Sequence, residues 1–181
     1  MARRAPARPV ATLTLVAVIF FAFAGELAGG DPEAICLRLG LSPSAPTLGT
    51  ALASLALHAS WAHVAGNAAA LLAAGWLVER ELGSWRLLVL FLVGGVGGAA
   101  FHALVDPSGP VLVGASGGIC AVLAALALLR PSAVAFVATF IAYNVVCLLL
   151  GAGGSVSVGC HVGGFTAGAA LMGLVWQMAI A

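Results

Sequence analysis

Six long apolar stretches, broken only by short polar turns, constrain this chain more than any other feature. They run over Val10–Ala28, a second stretch ending at Val78, Leu87–Leu104, Val113–Leu129, Val134–Leu150 and from His161 to Ala181. In 181 residues there are only 7 basic and 6 acidic side chains, 7% of the total, against 62% hydrophobic residues. A water-soluble domain needs about a quarter of its residues charged to cover its surface. A soluble enzyme, a nucleic-acid binder and a disordered chain are therefore excluded. A membrane-spanning helix needs about 20 apolar residues, so the length suits six spans in one domain, residues 1–181. The runs are too long for strands and lack the alternation of a membrane barrel. The 24 glycines fit helices whose backbones approach closely.

The polar breaks set the expected topology. Residues 1–9 carry Arg3, Arg4 and Arg8 and no acid, and residues 29–50 hold Asp31, Glu33, Arg38 and three prolines. With the N-terminus in the cytoplasm, Arg80, Arg86 and Arg130 fall on the same side as the basic tail, and only Arg38 lies outside. Both termini are then cytoplasmic, residues 1–9 form a cytoplasmic tail, and residues 29–50 form an external loop. The alternative for the first run is a cleavable secretory signal, with Ala22-Phe23-Ala24 as its small-residue site. Either reading leaves the other five helices oriented alike.

Polar side chains at membrane depth mark function by default. His58, His63 and Asn67 lie at or in the second helix, His102 ends the third, and Ser116 starts the fourth. Asn144 is in the fifth, and His161 starts the sixth. At about 1.5 Å per residue, Asn67, Ser116 and His161 stand roughly 18, 21 and 30 Å from the cytoplasmic ends of their helices. All three are thereby expected in the outer leaflet. Ser116 lies in Gly114-Ala-Ser-Gly117-Gly118 at a helix start, where N–H groups favour developing negative charge. The structural alternative is a serine N-cap. His161 near a helix N-terminus is held from protonating, which suits a general base, though an interfacial histidine is the plain alternative. His63 and Asn67 share one helix face, as oxyanion donors or as interhelical glue. Gly164 and Gly168 form a small-residue face for close helix packing. No acid accompanies the set, so a serine–histidine dyad is expected rather than a triad.

With these residues in view, the chain resembles the rhomboid intramembrane serine proteases. His58-x4-His63-x3-Asn67, Gly114-x-Ser116-Gly117 and His161-x2-Gly164-x3-Gly168 carry the resemblance, in order, over residues 10–181. It implies Ser116 as nucleophile, His161 as base, and His63, Asn67 and the Ser116 N–H as oxyanion stabilisers. Gly114, Gly117, Gly164 and Gly168 support the site. It implies an all-α bundle of six transmembrane helices in a bacterial inner membrane, acting on transmembrane protein substrates in the bilayer, with no cofactor, metal or nucleic acid. The small size is similar to the rhombosortase branch, whose substrates carry C-terminal Gly-Gly tails. Two positions depart from the family pattern: Cys120 stands where many members have tyrosine, and residues 29–57 lack the Trp-Arg pair. A catalytically silent membrane-protein escort is the alternative, although such proteins typically lack the serine or histidine that this chain retains. A small transporter would call for repeats or charged paths that the spans lack. The four cysteines show no metal-ligand spacing. Cys120 and Cys160 are candidates either for a disulfide tethering two helices or for unpaired core thiols.

Overall fold

The structure, a computed structural model, describes residues 9–149 and 157–180, apart from the side chains at positions 143, 144, 147, 148 and 175–180. The basic tail, residues 150–156 and the side chains of Asn144 and Cys147 lie outside the described residues. Eight α-helices follow one another among the described residues: α1 Val10–Ala28, α2 Pro32–Leu39, α3 Leu48–Ser54, α4 Trp61–Leu82, α5 Ser84–Val105, α6 Ser116–Leu129, α7 Val134–Leu149 and α8 Val158–Ile180. A 3-10 turn, Pro131–Ala133, joins α6 to α7.

By length and apolarity α1, α4 and α5 can each cross a membrane, and three shorter apolar helices accompany them. The six apolar runs thus appear as six helices, of which three reach full spanning length among the described residues. The expected turn-rich loop at 29–50 is instead built around two short helices. Asp31 caps α2, its Oδ1 accepting from Ala34 N at 3.0 Å, with Pro32 at the first helical position. Thr47 caps α3, and Thr50 returns the bond in a capping box. Of the three prolines in this segment, Pro32 opens α2 and Pro46 precedes the cap of α3, while Pro43 lies in a turn as expected.

The short helix α6 is the axis of the bundle. Every residue from Gly117 to Leu126 is buried, so α6 is apolar around its full circumference and packs against α4, α5, α7 and α8. Its partners close on it through glycine. A Cβ at Gly94 of α5 or at Gly168 of α8 would strike Ala121 of α6. At the end opposite the site, Arg130 Nη2 donates to Glu81 Oε1 at 2.5 Å and ties α6 to α4.

Glu79, which marked the end of the second run, is fully buried. Its Oε1 accepts from Ala11 N at 2.8 Å and Ser84 Oγ at 2.6 Å; its Oε2 accepts from Thr12 N at 2.9 Å and Thr12 Oγ1 at 2.7 Å. The N-cap of α1 is Pro9, which has no capping side chain. A carboxylate from α4 therefore caps α1 across the bundle, satisfying N–H groups that no carbonyl of its own helix can reach. Gly75, one turn away, lets Thr12 approach: a Cβ there would lie 3.0 Å from Thr12 Oγ1. Glu79→Ala leaves several buried donors unpaired and is expected to destabilise the fold by about 3 kcal/mol. Equilibrium unfolding in detergent reads this directly.

Candidate active site

Ser116 is the first residue of α6, and the loop before it is pinned at each step. Leu112 pairs with Leu41 through both backbone bonds, 2.9 and 3.1 Å, and Gly114 N donates to Ser54 O at 2.7 Å. Gly114 takes φ 112°, a conformation that L side chains rarely adopt. Its missing side chain makes room for α4: a Cβ there would lie 2.6 Å from His63 Nε2 and 3.5 Å from Asn67 Nδ2. His63 and Asn67 therefore meet the backbone two residues before Ser116. The N-cap alternative for Ser116 does not hold, since Ala115 occupies that position and no side chain caps α6. Among the described residues the Ser116 hydroxyl has no hydrogen-bond partner, and the N–H groups of its turn have no carbonyl one turn back.

His161 lies in the first turn of α8, which begins at Val158, three residues earlier than the apolar run suggested. Helices α6 and α8 touch backbone to backbone at Gly117 and Gly164. A Cβ on Gly164 would collide with the Gly117 carbonyl oxygen and sit 2.9 Å from its carbon. Ser116 precedes this contact by one residue and His161 precedes it by three, with no helix between them. Among the described residues the Ser116 hydroxyl and His161 make no direct hydrogen bond to each other, an arrangement common in sites without substrate. The ring of Phe140, from α7, packs against His161 with centroids 6.4 Å apart. No spacing or motif in the sequence marks this neighbour. An apolar cavity of about 220 Å³ opens beside His161 between α6, α7 and α8, lined in part by Cys120, Phe140 and Phe165.

Polar satisfaction around the site is uneven. His58 is fully buried, its Nδ1 donating to Ala56 O at 3.0 Å, so the neutral ring presents a bare Nε2. That nitrogen accepts from Asn67 Nδ2 at 3.0 Å and fixes the amide beside Gly114. His58 and His63 meet edge to face with centroids 4.9 Å apart. Behind them lies Glu26 of α1, only 2% exposed, whose carboxylate accepts from His58 N at 3.2 Å and from the Cys36 thiol at 3.7 Å. Burial beside that carboxylate pushes the Cys36 thiol up to about 11, so it serves as a donor and not as a thiolate. Among the described residues, two buried side-chain atoms have no hydrogen-bond partner: His63 Nδ1 and His161 Nδ1. Both flank the Ser116 turn. Among the described residues no carboxylate meets His161 Nδ1, the position an acid takes in a triad.

Cys120 and Cys160 are both free, buried thiols, and Cys160 Sγ lies on Gly117. Glycine contacts, and not a disulfide, join α6 to α8. Among the described residues no group of His, Cys, Asp and Glu is arranged to hold a metal ion.

The Rhomboid domain profile matches residues 46–178. The chain is 35% identical over 130 residues to Rhomboid protease GluP of Bacillus subtilis (strain 168), covering 66% of this chain and 25% of that one. It is 32% identical over 127 residues to RHOMBOID-like protein 1 of Arabidopsis thaliana, covering 66% and 32%. It is 37% identical over 70 residues to Rhomboid-like protease 5 of Toxoplasma gondii, covering 39% and 8%. The chain thus spans a third or less of the length of these relatives.

Proposed function

The chain belongs to the rhomboid family, and we propose from that premise that it is a serine endopeptidase cutting substrate helices at the outer side of the membrane. The observation that carries this reading is the direct contact of Gly117 with Gly164, next to Ser116 on one helix and one turn from His161 on the other, whose Nδ1 has no hydrogen-bond partner among the described residues. Ser116 is the nucleophile and His161 its base. His63, Asn67 and the Ser116 N–H receive the oxyanion, and Gly114, Gly117, Gly164 and Gly168 let these groups approach. GluP, the bacterial relative, is named a protease.

The reaction begins with a substrate helix that has locally unwound, because paired amides in lipid are closed to attack. His161 takes the Ser116 proton as the oxygen adds to the scissile carbonyl. The carbonyl electrons move to oxygen and are held by the donors at Gly114. When the tetrahedral centre collapses, the C–N bond breaks and His161 returns its proton to the leaving amine. Water, activated by the same imidazole, then releases the acyl group from Ser116. Peptides that unwind readily, including Gly-Gly-bearing C-terminal tails, fit this requirement.

A fluorescent fluorophosphonate tests the reading. It is expected to label the wild-type chain once, with labelling lost in both Ser116→Ala and His161→Ala. An unlabelled wild type would leave the family fold without this chemistry, as in a membrane-protein escort.

A further inference from the structure

The proposed reaction uses groups on α4, α6 and α8, yet a second buried histidine, His102 near the end of α5, remains unaccounted for. It is 4% exposed, although an isolated imidazole in an apolar bundle is costly. Both ring nitrogens are engaged, and with different elements. Nε2 lies 3.3 Å from Pro110 O, in the loop that leads to Ser116. Nδ1 lies 2.8 Å from Ser157 Oγ, immediately before α8.

The chemistry of the partners fixes the proton positions. A carbonyl only accepts, so Nε2 carries the hydrogen and donates to Pro110 O. In the neutral ring Nδ1 is then bare and accepts the Ser157 hydroxyl proton. The Ser157 oxygen in turn accepts from Cys160 N at 3.0 Å, and Ser157 O accepts from His161 N at 3.1 Å. Ser157 is thus the N-cap of α8, and its hydroxyl rotor is held by His102. The first turn of α8 also lies directly on this part of α5: a Cβ at Gly159 would be 3.2 Å from His102 Cα. One ring therefore grips the loop six residues before Ser116 and the capping residue four residues before His161.

We propose that His102 is a positioning residue that sets the register between Ser116 and His161, through Pro110 on one side and the Ser157 cap on the other. This deepens the protease reading and rests on it. The two links separate by substitution. Asn carries an acceptor where Nδ1 stands and keeps the Ser157 link; Gln carries a donor where Nε2 stands and keeps the Pro110 link. Alanine removes both. A reacting pair displaced by about 1 Å loses roughly a hundredfold in rate.

The test is the kinetics of fluorophosphonate labelling in detergent-solubilised full-length protein, separating the maximal rate from the half-saturating concentration and counting labelled sites. His102→Ala is expected to lower the maximal rate per competent site about a hundredfold, and His102→Asn, His102→Gln and Ser157→Ala about tenfold each. Half-saturation should stay within twofold. Combining Ser157→Ala with His102→Gln should cost no more than Ser157→Ala alone, whereas combining it with His102→Asn should approach the loss in His102→Ala. A purely structural role moves other readouts: fewer labelled sites and a lower melting temperature, with the surviving sites reacting at the wild-type rate. That result overturns the proposal, and so does a Ser157→Ala protein that folds and labels normally, should His102→Ala fail to fold. A wild type that is never labelled overturns the protease reading itself and takes this inference with it, a distinct outcome.

Discussion

Ser116→Ala is expected to reduce cleavage of a transmembrane substrate by on the order of 10⁶-fold while leaving the protein folded. On the proposed reading the size follows from covalent catalysis: without the hydroxyl no acyl-enzyme forms, and the oxyanion donors are left to assist only direct attack by water. The fold should tolerate the change because Ser116 caps no helix and its side chain makes no hydrogen bond among the described residues. The melting temperature therefore serves as the internal control. Quantitative cleavage of a reconstituted substrate by wild type and variant, at matched folded concentration, is the measurement. Residual cleavage within tenfold of wild type would remove Ser116 from the mechanism.

Gly164→Val should lose both activity and stability, for a different reason. The added side chain meets the Gly117 carbonyl, a backbone group in the buried core helix that cannot rotate away. Helix α8 must then shift outward, carrying His161 from Ser116 and opening the α6 contact along Gly168 and Ala121. Overpacking against backbone costs about 3 kcal/mol or more, and the displaced base should lower turnover by at least about a hundredfold. Gly173 provides the comparison on the same helix, since a Cβ there meets nothing within 4 Å. Gly173→Ala is expected to melt and cleave as wild type does. A Gly164→Val protein that retains both properties would show that α6 and α8 need not touch.

Much of this architecture can be read from the chain, because hydrophobic length is a direct physical signal. The first run, Val10–Ala28, coincides with α1, and Arg130-Pro131 ends α6 as expected. Helices α2 and α3 leave no periodic signal in the sequence because each is only about two turns, stabilised by caps at Asp31 and Thr47 and not by a long apolar face. Spacing puts His63 and Asn67 on one face of α4, and the structure sets that face beside Gly114, two residues before Ser116; the roles of these residues and of His161 come from the resemblance and stay a proposal. What spacing could not convey is how single polar residues find partners far away in sequence. Glu79 reads as a charge ending a span, yet it caps α1. Glu26 reads as an acid near a helix end, yet it holds the backbone of His58. His102 and Ser157 lie 55 residues apart, and neither belongs to a recognisable pattern. Phe140 is one apolar residue among many until α7 is laid beside His161.

The brevity of α6 has a consequence of its own. Its 14 residues rise only about 21 Å, short of the roughly 30 Å hydrocarbon slab, so the helix works as a depth gauge. On the proposed reading, the number of turns below Ser116 determines which peptide bond of a passing helix is cut. An inserted turn would lift the hydroxyl by about 5.4 Å and move the scissor to a new rung of the same ladder.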